Sequence, residues 1–124
     1  MAENWSQYRF RIVYRADDKK IHWRFVTGYV GGTAFGTVRL AVYKSGEKMK
    51  NGRVKWYCVD PETGMSLAEG FNRQDAIGRA RMRLSTITPE QYGDSVYRAK
   101  KLLVDAGVLD YSVERGYTWH VQQI

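Results

Sequence analysis

Apolar and polar residues alternate with period two along most of the first 70 positions, and the period lengthens to that of a helix beyond them. From Tyr8 to Arg15, Tyr8, Phe10, Ile12 and Tyr14 fall on one side and Arg9, Arg11, Val13 and Arg15 on the other. This predicts a strand with one dry and one basic face. Residues 16–20 form a polar turn, after which Ile21, Trp23, Phe25, Thr27 and Tyr29 alternate with His22, Arg24, Val26, Gly28 and Val30, so the two runs predict a β-hairpin. A glycine-rich segment, 31–36, precedes a third run from Thr37 to Lys44 that sets Val38, Leu40 and Val42 against Arg39, Ala41 and Tyr43. Residues 45–52 read as a polar hairpin loop ending in the turn dipeptide Asn51-Gly52. In the fourth run, Arg53 to Asp60, Val54, Trp56 and Cys58 oppose Arg53, Lys55, Tyr57 and Val59. A tight turn at 60–64 then returns the chain as a short fifth strand, Met65 to Glu69.

Asn72 followed by Asp75 reads as a helix N-cap, and Ala76, Ile77, Ala80 and Leu84 recur at helical spacing. Thr88-Pro89-Glu90-Gln91 starts a second helix with a capping-box pattern, whose apolar stripe runs from Tyr92 through Val96, Ala99 and Leu103 to Ala106. Gly93-Asp94 is an expected break in it, and Gly107 an expected C-terminal cap. Residues 108–124 carry two short strand-like runs around Glu114-Arg115-Gly116. The pattern as a whole predicts one domain over 1–124, of the α+β class: an antiparallel sheet of four to five N-terminal strands, two helices packed on one face, and a C-terminal β-hairpin.

Composition narrows the function. In 124 residues, 44% hydrophobic and 14% aromatic content supports a real core and excludes disordered and collagen-like classes. A single cysteine, Cys58, excludes a disulfide scaffold and a Cys-rich zinc module. The start, Met1-Ala2-Glu3-Asn4 followed by Arg9 and Arg11, is no signal peptide, and no run is apolar enough to cross a membrane, so the expectation is a cytoplasmic protein without membrane contact. The net charge is +7, with 12 basic and 6 acidic residues in 1–62 against 8 and 7 in 63–124. Eleven of the 17 aromatic residues lie in the same first half, so basic and aromatic character coincide.

If the four alternating strands bury their more apolar sides together, the opposite face displays Arg9, Arg11, Arg15, Arg24, Arg39, Arg53 and Lys55, with His22, Tyr43 and Tyr57 among them and hardly any acid. Such a face suits nucleic acid, single-stranded or flexible before duplex, with the cations on phosphates and Tyr43 and Tyr57 stacking on bases. The alternative is a small protein-binding regulator or inhibitor of the kind phages and plasmids encode, meeting an acidic protein surface through the same residues, with Trp5 and Trp119 as further contacts. An exposed sheet edge could also pair with its copy as a homodimer.

The order helix, short helix or turn, helix, hairpin over roughly the last 50 residues resembles a winged helix-turn-helix. The resemblance implies Arg98, Lys100 and Lys101 on a recognition helix and Arg115 on a wing. The near-neutral charge of that half opposes it. Catalysis has little support: His22 and His120 have no shared spacing, Cys58 falls on a dry face, and Gly31-Gly32 lacks the lysine of a phosphate loop. The expectation is a non-enzymatic binder without a cofactor.

Overall fold

The computed structural model describes residues 5–35, 38–48 and 50–120. Met1–Asn4, Gly36, Thr37, Met49 and residues 121–124 lie outside them. Five strands, β1 (Ser6–Arg15), β2 (Ile21–Ala34), β3 (Val38–Lys48), β4 (Val54–Val59) and β5 (Ser66–Gly70), form one antiparallel sheet in sequential order. Helices α1 (Arg73–Leu84) and α2 (Pro89–Asp105) follow, then the hairpin β6 (Leu109–Ser112) and β7 (Gly116–Trp119). The α+β architecture is the expected one.

Helix boundaries follow the caps. Asn72 Oδ1 accepts the Asp75 N–H at 2.8 Å, and Thr88 and Gln91 satisfy each other's backbone N–H groups at 3.1 and 2.9 Å. The expected break at Gly93-Asp94 does not occur; α2 runs 17 residues through it. One exposed glycine costs a helix about 1 kcal/mol, less than a full capping box and a buried apolar stripe contribute. At the far end Gly107 has φ +76°, with Val108 N–H bonded to Leu103 O and Gly107 N–H to Val104 O, a Schellman closure.

The sheet buries both faces. Helix α1 lies across β3, β4 and β5, covering Leu40, Val42, Cys58 and Ala68 with Ala76, Ile77, Ala80 and Leu84. Farther along the same face, Leu103, Val108 and Leu109 cover Val13, Ile21 and Trp23. The opposite, concave face holds Phe10, Ile12, Val30, Ala41, Tyr43 and Val59. It is closed because the β4–β5 turn swings back onto β1: Gly64 O accepts the Val13 N–H at 3.0 Å, and a Cβ on Gly64 would stand 2.8 Å from Arg11 O. Curling this tightly needs Gly28, where a Cβ would meet Val42 O at 2.3 Å.

Candidate nucleic-acid interface

Which side chains share a face is decided by the β1–β2 turn. Five residues, 16–20, close on the pair Arg15 and Ile21, so odd positions of β1 face odd positions of β2. Arg9, Arg11 and Arg15 therefore lie on the helix-bearing face with Trp23, Phe25 and Tyr29, while His22 and Arg24 lie on the concave face with Tyr8, Phe10, Ile12 and Tyr14. The single basic face expected from alternation is thus divided between two faces. The error lies in the register: the apolar side of β2 sits beside the basic side of β1.

On the concave face the expected stackers are engaged. Tyr43 is 6% exposed, stacked on Tyr57 at 5.5 Å and met edge-on by Phe10 at 6.2 Å, and burial pushes its hydroxyl up to about 12. Central strand β3 is covered on both sides, so the alternation that reads Tyr43 as wet fails there. Tyr57 donates its hydroxyl proton to Glu47 at 2.7 Å, which holds the Glu47 carboxyl below its usual value. Lys55 is shared between Glu47 at 3.5 Å and Glu69 at 3.3 Å. The expected scarcity of acid does not hold here, since Arg24 and Lys55 are balanced by two carboxylates. Glu47 is in place because β3 extends to Lys48 past a bulge, where Ser45 Oγ donates to Lys55 O and accepts the Glu47 N–H.

The remaining expected contacts are dispersed. Arg15 caps the β1–β2 turn by donating to Lys19 O at 2.9 Å. Arg24 stands 6.0 Å from the Tyr14 ring. Arg39 borders a cavity with Asp60, Glu62 and Tyr92, and Arg53 stands 5.9 Å over Phe71. His22 pairs with Asp18 at 2.9 Å and His120 with Asp110 at 3.0 Å, each within its own hairpin. Cys58 is fully buried, and desolvation raises its thiol to about 12, the environment of an inert core cysteine.

The helix-bearing face assembles a different set. Between α1 on one side and α2 with the C-terminal hairpin on the other, the β1–β2 surface stays open, and there the cross-strand diagonals interleave arginines with rings. Arg9 lies 4.2 Å over Phe25; Arg11 lies 4.8 Å from Trp23, 4.9 Å from Phe25 and 5.3 Å from Trp119. Trp23 meets Phe25 edge-on at 5.4 Å and Trp119 at 6.4 Å. Farther along β2, Arg73 at the start of α1 lies 4.6 Å over Tyr29, beside a cavity of about 480 Å³ that Trp56 also lines.

None of these residues is acidic, and among the described residues no carboxylate pairs with Arg9, Arg11 or Arg73. Among the described residues the strip thus carries three arginines without a carboxylate partner, whereas Lys55 of the concave cluster has two. Arg11 is half-buried, its Nε lacks a hydrogen-bond partner, and desolvation lowers its pKa. Its guanidinium is held by ring faces and leaves its donors uncommitted to carboxylates. Pairing parity from a five-residue turn is a signal that could have located Trp23 and Phe25 beside Arg9 and Arg11; Trp119, expected only as a contact to a protein partner, joins them through the C-terminal hairpin, and nothing in the sequence points to Arg73. Among the described residues no helix is long and apolar enough to cross a membrane. Compared with known proteins, the chain matches no family, no curated protein and no solved structure.

Proposed function

We propose that the protein binds single-stranded nucleic acid without catalysing a reaction, and that the Arg–aromatic strip of the helix-bearing face makes the contact. The observation that carries this reading is the placement of Arg9, Arg11 and Arg73 over Phe25, Trp23 and Tyr29 with no described acid to neutralise them. Guanidinium groups pair with phosphates, and ring faces in the open gap stack on bases. Paired bases hide their faces in a duplex, so rings favour an unpaired strand. Of the residues first expected at the interface, Arg9 and Arg11 stay; Tyr43 and Tyr57, engaged in the concave face, do not.

The test is fluorescence anisotropy with short single-stranded and duplex DNA and RNA. Micromolar or tighter binding that favours single strands supports the reading. Phe25→Ala, at a ring 38% exposed, should weaken single-strand binding more than duplex binding; an equal loss would argue against stacking. Absence of binding at low salt would overturn the reading and make an acidic protein surface the partner to seek by pull-down.

A further inference from the structure

The strip does not end at Trp119. Across the C-terminal hairpin Leu109 pairs with Trp119 and Tyr111 with Tyr117, so Tyr111, Tyr117 and Trp119 share one face, with Tyr117 and Trp119 about 7 Å apart along β7. The Tyr111 and Tyr117 rings lie 4.9 Å from each other. Beside them α2 presents Tyr97, Lys101, Val104 and Asp105, and these residues together line an open cavity of about 440 Å³.

Tyr97 and Tyr111 are 52% and 58% exposed, so two large rings stand in water at the mouth of one cleft, outside the packed core. Lys101 Nζ hangs 4.6 Å over the Tyr97 ring and has no carboxylate ion pair among the described residues, whereas neighbouring Lys100 is held by Glu62 at 2.6 Å. Lys101 and Asp105 set one charge of each sign beside the exposed rings, which favours a guest that brings an aromatic face together with an anionic group and a hydrogen-bond donor.

We infer that this cleft takes one unstacked nucleobase of the same strand that the Arg9–Phe25 strip holds. The base stacks on Tyr97 and Tyr111, the adjoining phosphate meets Lys101, and Asp105 accepts from an exocyclic amine. The inference rests on the proposed function and extends the track by one site beyond Trp119.

The experiment is anisotropy titration at low salt with single-stranded oligonucleotides of four and twelve residues, rich in cytosine, against the parent chain, Tyr97→Ala/Tyr111→Ala and Tyr97→Phe/Tyr111→Phe. Both tyrosines are exposed, and a circular dichroism melt verifies the fold of each variant. The alanine pair should lose about tenfold in affinity for the twelve-residue strand, the scale of one stacked base, and little for the four-residue strand, with the phenylalanine pair close to the parent. Parent-like binding by the alanine pair at both lengths overturns the cleft and leaves the strip standing. So does a phenylalanine pair as weak as the alanine pair. If the parent binds no strand at either length, the cleft and the proposed function fall together.

Discussion

The guanidinium of Arg11 lies 4.8 Å from the centre of the Trp23 ring, and the same group reaches Trp119 of the C-terminal hairpin at 5.3 Å. One arginine therefore bridges β1, β2 and β7, fastening the hairpin to the sheet and keeping a cation at the surface of the strip. Arg11→Ala should lower the stability of the fold by about 1–2 kcal/mol, from lost ring contacts and lost packing of the stem. Urea unfolding followed by circular dichroism measures it. An unchanged midpoint would show that Arg11 fastens nothing.

Curvature of the sheet depends on a missing side chain. A Cβ at Gly28 would stand 2.3 Å from a backbone oxygen, whereas one at Gly46 meets nothing within 4 Å. Gly28→Ala should therefore destabilise by about 2 kcal/mol or more, while Gly46→Ala stays within about 0.5 kcal/mol of the parent. Thermal melts of the two variants side by side decide it, and equal melting temperatures would contradict the tight coil at Gly28.

What the sequence made legible and what it hid have one physical boundary. Periodicity located the five strands, both helices and the final hairpin, because each buries a stripe whose spacing is local information. The pairing of stripes is not local. Read alone, β1 and β2 each have a better dry side, and placing those sides together gathers the cations on one face. The turn from Ala16 to Lys20 sets the opposite parity, and the second layer of core on the concave face makes Tyr43 an interior residue. Trp119 and Arg73 arrive at the strip through tertiary packing of the C-terminal hairpin and α1, which no spacing encodes.

Asp60 offers a pH test. It is 5% exposed, accepts the Glu62 N–H at 2.9 Å and the Thr63 hydroxyl at 3.2 Å, and burial outweighs these bonds to raise its carboxyl above the usual value. A carboxyl with a higher pKa folded than unfolded contributes stability that is fully present below the unfolded value of about 3.9 and is lost as pH rises through the raised one. Asp60→Asn keeps the acceptor for Glu62 and cannot ionise. The melting-temperature difference, variant minus parent, should be flat below about pH 4 and grow towards neutrality. A difference that shrinks over that range would contradict the buried, reluctantly ionised carboxyl.

Phosphate contact on the helix-bearing face, as proposed, is read from the salt dependence of single-strand binding. Each neutralised phosphate on a single strand contributes about 0.7 to the slope of log affinity against log salt. Arg9→Gln/Arg73→Gln should flatten that slope by about 1.4, while Arg24→Gln on the concave face leaves it unchanged. A slope that stays steep in the first variant and flattens in the second would assign the contact to the concave face instead.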